Sequence, residues 1–282
     1  MVEKRPLLTI LSHVVLILGV LAVIFPVYLA FVASTHPQST FLSGVTPLLP
    51  GDQMLNNYGR MLMDGNSLAG APPLLQMLQT TIVVAVLITI GKVFISFLSA
   101  YAIVYFRFPF RGLAFWTIFV TLMLPVEVRI IPTFEVVANL GLLNSYAGLT
   151  LPLIASATAT FLFRQFFLTV PDELAEAARV DGAGPLRFMK DILLPLSRTN
   201  IAALCVIMFI YGWVQYLWPM LITTDQKFYT IVMGIKRLLD IADGEPQWNI
   251  VMAGVMLAML PPVLVVIFMQ RLFVKGLVET EK

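Results

Sequence analysis

Of the 282 residues, 59% are hydrophobic and only 12% are charged, with a formal net charge of +2 and a mean hydropathy of +0.90. An ordinary soluble domain is about 25% charged, so a surface facing water on all sides is excluded. A nucleic-acid surface is excluded too, because no basic run exceeds two residues.

A short basic N-terminus (Lys4, Arg5) leads into an apolar stretch near 11–33. No small-residue cleavage site ends that stretch, so a retained helix is expected. Five further stretches lie near 81–105, 113–133, 147–167, 201–221 and 250–270, each of about the 17–25 residues that cross a bilayer core. Backbone groups in lipid must satisfy one another. The expectation is therefore an all-α integral membrane protein of six transmembrane helices, forming a single membrane domain over 1–282. Segment 34–80 carries Pro37, Pro47, Pro50, Gly51, Pro72 and Pro73 and reads as irregular structure with a short helix near Met54–Met63. No 20–50-residue repeat is visible.

Basic residues orient the spans. With the N-terminus cytoplasmic, the inner segments hold Lys4, Arg5, Arg107, Arg111, Arg164, Arg179, Arg187, Lys190, Arg198, Arg271, Lys275 and Lys282. The outer regions hold only Arg60, Arg129, Lys227, Lys236 and Arg237, and Lys92 lies within a span. Both termini are expected inside. Trp218 and Trp248, flanking the last outer loop, and Trp116, near the inner end of the third helix, suit interfacial positions; packing between helices is the alternative.

On the second span Thr89, Lys92, Ser96 and Ser99 recur at spacings of three, four and three, so they share one helical face. A lysine at mid-span costs about 2.5–3.5 kcal/mol on insertion scales. Either the stripe lines a translocation route suited to an anion, or Lys92 is paired elsewhere or displaced from the midplane. Glu127 and Arg129 point to different sides of the third helix. With Pro125 and Pro132 around them they form a gate candidate or, alternatively, a pair at the outer headgroups. The small residues Ala155-Ser156-Ala157-Thr158-Ala159-Thr160 suit close helix approach, within this subunit or against another.

Loop 168–200 reads as two short helices. Pro171 suits a helix start, Asp172 and Glu173 complement the dipole, and Gly182 suits a left-handed cap. A turn at 183–185 leads to a second helix from Leu186 to about Leu193, ended by Pro195. The physical use of such a knob is to dock on something and transmit force.

Glu176-Ala177-Ala178, Gly182 after three residues, and Ile192-Leu193-Leu194-Pro195 after nine more resemble the EAA loop of ABC-importer permeases. Phe106-Arg107-Phe108-Pro109-Phe110-Arg111-Gly112, Gly141-Leu142-Leu143-Asn144-Ser145-Tyr146 and Trp213-Val214-Gln215-Tyr216-Leu217-Trp218-Pro219 resemble turns and a helix end of the maltose-type subfamily. The stretches 122–129, 155–167 and 270–278 look closest to the glycerol-3-phosphate importers. Val214 departs from the family's usual Asn, and Gln79-Thr80 from its usual Asn-Ser.

The resemblance implies the type I ABC permease fold, with 81–276 as the core permease region. It implies that Glu176, Ala177, Ala178, Gly182, Ile192, Leu194 and Pro195 belong to a loop coupled to the ATPase. Implied partners are a second related permease, a homodimeric cytoplasmic ATPase and a periplasmic solute-binding protein, in the inner membrane of a bacterium. The implied cargo is glycerol-3-phosphate or a glycerophosphodiester; a sugar or oligosaccharide is the alternative within the class. An ion-driven secondary transporter or a membrane scaffold would not need the docking knob.

The chain is not expected to be an enzyme by itself, and no catalytic residue, metal site or cofactor is expected. The Gly91-Lys92 pair fails as a P-loop, since Val86 and Val93 stand where a glycine and a hydroxyl residue are needed. Cys205 is the sole cysteine, and His13 and His36, the only histidines, are far apart. ATP would be bound and hydrolysed by the partner.

Overall fold

A computed structural model describes residues 6–42, 44, 47–65, 70–121, 124, 126–240 and 245–278, and its regular elements are all helices. In chain order these are α1 (Pro6–Ser34), α2 (Gln38–Leu42), α3 (Met54–Met63), α4 (Leu74–Tyr105), α5 (Arg111–Val120), α6 (Val126–Asn139), α7 (Tyr146–Thr150) and α8 (Ala157–Phe167). They continue with α9 (Asp172–Val180), α10 (Pro185–Phe188), α11 (Leu194–Leu196), α12 (Arg198–Trp213), α13 (Leu217–Ile222), α14 (Ile231–Arg237) and α15 (Trp248–Val278). Among the described residues three helices are long and apolar enough to cross a membrane, or up to five if each bent pair counts as one span, against the six expected. The chain divides into two compact units, Met1–Leu75 with Gly234–Met259, and Gln76–Met233 with Leu260–Lys282.

In the first unit, the chain after α1 is tied down by side chains that satisfy loop carbonyls. Asn57 of α3 donates to the carbonyls of Ser34 (2.9 Å) and His36 (2.8 Å), and Asn249 of α15 donates to the Asn57 amide oxygen (2.9 Å). Gly254 lets α15 lie against Met61: a Cβ there would sit 2.9 Å from the Met61 methyl. The predicted helix at Met54–Met63 is α3. Among the described residues, segment 34–80 also contains α2.

In the second unit, α4 has its amphipathicity inside out. Ile82, Val83, Val86, Leu87, Ile90 and Phe94 are exposed, whereas Thr81, Thr89, Lys92 and Ser96 are buried with Val84, Ile88 and Phe97. The exposed face suits lipid, and the buried face holds the polar groups that lipid would reject. The helix begins at Leu74 rather than near 81, directly after Pro72-Pro73. Gln76, Gln79 and Thr80 hide this first turn from an apolar window.

Other predicted stretches are interrupted. The stretch 113–133 is shared between α5 and α6, with Pro132 inside α6; Pro125 lies outside the described residues. The stretch 147–167 is a pair bent by 47°, Tyr146–Leu153 and Ala157–Phe167. Ser156 caps the second piece by accepting from the Ala159 N–H (3.3 Å). The stretch 201–221 is α12 and α13, parted at 214–216, where the Gln215 side chain donates to the freed Tyr211 carbonyl (3.0 Å). Pro195 does not end a helix as expected. A π turn over Met189–Leu193, with the Leu194 N–H bonded to the Met189 carbonyl, changes the register ahead of the proline. The run Pro185–Leu196 then continues and meets α12 at 74°.

Trp218 is packed rather than interfacial: it is buried, and its indole N–H donates to the Gly148 carbonyl (3.1 Å). Trp116 and Trp248 are exposed, as interfacial rings would be.

Candidate functional site

The knob formed by α9 to α11 stands on an aromatic core. Phe97 of α4 meets Phe163 and Phe167 of α8 edge-on, with ring centroids 5.3 and 5.2 Å apart. Ala178, Phe188, Leu193, Leu204 and Met208 close the same cluster. The Tyr101 hydroxyl donates to the Pro185 carbonyl (2.8 Å), and Tyr105 packs edge-on against Phe188 at 5.2 Å. The C-terminal end of α4 is thereby joined to the second half of the knob by a directional bond and a ring contact.

Local sequence builds the knob as expected, with one shift. The helix starts at Asp172, with Pro171 in the cap position and Asp172 and Glu173 in the first turn. Gly182 has φ +72° with open space around an added Cβ, so backbone conformation alone calls for glycine there. The Ala183 N–H closes the turn on the Ala178 carbonyl (2.8 Å). Glu176 and Ala177 are exposed, whereas Ala178, 4% exposed, faces the subunit's own core. Ile192 and Pro195 are half-buried and Leu194 is exposed. Two residues not singled out from sequence carry the largest free apolar surface: Val180 at 88% and Leu186 at 76% exposure. Their signal was present, since both flank the turn at 181–184.

The α4 polar face is the second site. Thr89 bonds its own helix, donating to the Ala85 carbonyl (2.6 Å). Ser96 donates to the Ser156 carbonyl (3.1 Å), so it satisfies the break between α7 and α8. Gly91 admits the same break: a Cβ there would lie 2.5 Å from the Ile154 Cγ2. Between them Lys92, 5% exposed, places its ammonium 3.6 Å from the centre of the Tyr211 ring. No carboxylate pairs with it among the described residues. A desolvated cation–π contact contributes ~2 kcal/mol or more, which offsets most of the roughly 2.5–3.5 kcal/mol insertion cost.

Ser99 is half-buried and Arg129 exposed; the Glu127 side chain lies outside the described residues. Thr89, Lys92 and Ser96 are thus brought together on one buried face. In the small-residue run 155–160 at the start of α8, Ala159 and Thr160 are buried within the subunit, and Ala155 and Thr158 remain exposed.

At the opposite end of α4, Asn144 adopts φ +53° and accepts from the N–H groups of Thr224 (2.7 Å) and Asp225 (3.0 Å). One amide thus braces the turn before α7 to the loop after α13. In the sequence Asn144 stands out only as part of a motif, because its partners lie about eighty positions away.

An inside-out α4, spans broken where protein satisfies the backbone, and a capped helical knob beside them define a polytopic membrane protein. The chain belongs to the family described as the binding-protein-dependent transport system inner membrane component, whose model matches residues 92–279. It is 58% identical over 282 residues to the sn-glycerol-3-phosphate transport system permease protein of Agrobacterium fabrum, covering 100% of both chains. The identity to the permease proteins of the same name in Brucella melitensis and Salmonella typhi is 57% and 59%, again over 100% of each chain. The fold matches a solved bacterial ABC transporter involved in the import of the acidic polysaccharide alginate. That match has a TM-score of 0.81 at 22% identity and covers 96% of this chain and 98% of the other.

Proposed function

We propose that this subunit passes sn-glycerol-3-phosphate, or a glycerophosphodiester, across the bacterial inner membrane toward the cytoplasm. The observation that carries this reading is full-length identity of 57–59% to permease proteins named for that substrate. The whole chain acts as one membrane domain, with 81–276 as its permease core and 168–200 as its coupling loop. A second related permease completes the translocation unit, a periplasmic binding protein delivers the solute, and a cytoplasmic ATPase homodimer supplies energy. The chain itself holds no ATP.

In this reading α9 to α11 lies in a groove of the ATPase. Glu176 makes the polar contact, Ala177 permits close approach, and Val180 and Leu186 supply the apolar area that docking buries. Ala178, Ile192 and Pro195 hold the knob to its own subunit, with Leu194 beside them. Gly182 sets the turn. Closure of the ATPase pulls the knob, and Tyr101 and Tyr105 pass that displacement to α4. The polar face of α4, with Thr89, Lys92, Ser96 and Ser99, and the α6 residues Glu127 and Arg129, belong to the route of the anion.

Uptake of labelled sn-glycerol-3-phosphate by cells producing the complete importer tests the substrate. Absence of uptake alongside robust maltooligosaccharide transport would replace it. Orientation is tested by single cysteines in a Cys205→Ser background. Glu245→Cys should react with an impermeant thiol reagent outside spheroplasts, and Gly184→Cys should not. For coupling, Glu176→Lys and Gly182→Val should abolish substrate-stimulated ATP turnover while the subunit still inserts. Normal transport by both would remove the coupling assignment.

A further inference from the structure

At the end of the second unit that carries α9, a cleft of about 420 Å³ opens between the end of α4, the start of α5 and the last turn of α8, within the range of about 300–1,000 Å³ usual for ligand sites. Its walls include Arg164, Arg111 and Trp116. The Arg164 guanidinium lies over the Phe115 ring, 4.1 Å from its centre, and its Nε is buried without a hydrogen-bond acceptor. Neither arginine is paired with a carboxylate among the described residues. Arg111 also borders a neighbouring cleft that contains Arg107. Two guanidinium groups therefore border one cleft with no paired carboxylate among the described residues, and stacking on Phe115 holds one of them in a fixed orientation. A planar guanidinium so fixed matches a phosphate oxygen pair.

What surrounds the cleft says where the phosphate comes from. Leu113, Trp116 and Leu168 are 64%, 59% and 54% exposed, an apolar rim of the kind that meets acyl chains, and an exposed Trp is the residue type enriched at headgroup level. Basic pockets between spans that open onto such a rim hold anionic lipid headgroups. We propose that this cleft binds the phosphodiester headgroup of an anionic phospholipid from the leaflet on the α9 side. The site is separate from the route of the transported solute. Its occupant would lie beside the aromatic core on which the knob stands, so lipid composition would bear on coupling.

The test uses the complete importer in nanodiscs of phosphatidylcholine doped with phosphatidylglycerol, with retained lipids counted by native mass spectrometry. Wild type should keep phosphatidylglycerol selectively. Arg164→Gln and Arg111→Gln should each weaken its retention about fivefold, with partial recovery in Arg164→Lys. Arg111 is exposed, so its variant reports even if Arg164→Gln fails to fold. Millimolar inorganic phosphate or sn-glycerol-3-phosphate should leave the lipid in place; its release by either would assign the cleft to a soluble phosphate and overturn the lipid source. Unchanged retention in both glutamine variants would overturn the site. So would loss of the second permease from Arg164→Gln complexes that keep their lipid, because Arg164 would then be an intersubunit ion-pair partner.

Discussion

Helices α1 and α4 are nearly equal in length, 29 and 32 residues, and both are strongly apolar. None of the most apolar 18 residues of α1 is buried, against 44% of the corresponding window of α4. The difference lies in the minority residues. The corresponding part of α1 has no charged residue and only small interruptions, such as Gly19, whose Cβ position is open. In α4, Ala85 admits the backbone of α12 at Gly212 and Gly91 admits the Ile154 side chain, and Thr89, Lys92 and Ser96 satisfy themselves or a neighbour. Apolarity places a helix in the membrane; small and polar residues place it inside a bundle.

That contrast can be broken or sharpened experimentally. The largest effect is expected where α12 crosses α4, because a Cβ at Gly212 would lie 2.9 Å from the Ala85 Cα, and backbone does not yield. Gly212→Val should cost at least the ~1–3 kcal/mol of overpacking and sharply reduce folded subunit in the membrane. Full accumulation would show that α4 and α12 do not meet as closely as described.

Next is the Lys92 contact. Tyr211→Leu, which leaves the ammonium buried without its ring, should destabilise by about 2 kcal/mol, read as a lower melting temperature of the purified complex. Lys92→Met, uncharged and of similar length, should accumulate normally yet slow uptake of labelled sn-glycerol-3-phosphate. Undiminished uptake by that variant would leave Lys92 with a packing role only.

Trp218→Phe should cost about 1 kcal/mol, the usual net value of one hydrogen bond, because the ring stays packed while the bond to the Gly148 carbonyl is lost. The smallest change is expected on α1. Val15→Ala and Ile17→Ala, at residues 61% and 57% exposed, should alter stability by no more than about 0.5 kcal/mol. Losses as large as those on α4 would mean that a partner protein, not lipid, covers this face.

Composition and apolar runs already specify an all-helical membrane protein, because a lipid-embedded backbone has few ways to close its hydrogen bonds. The knob was legible residue by residue, since caps and left-handed glycines are short-range devices: Asp172, Glu173 and Gly182 act within a turn or two of themselves. The shared face of Thr89, Lys92 and Ser96 followed from helical spacing alone. What those side chains touch did not. Ser96 finds a carbonyl sixty positions away, Lys92 a ring on α12, and Asn144 two amides eighty positions on. The breaks at 154–156 and 214–216 were equally hidden, because an apolar run reads alike whether straight or interrupted; the first is satisfied by Ser96 from sixty positions away and the second by Gln215 from only four. The sequence by itself determined that the chain is apolar and all-helical and where the exposed knob turns. Only the tertiary structure decided which helix is buried, where spans break and which polar groups pair, because those outcomes depend on contacts between residues that chain spacing does not relate.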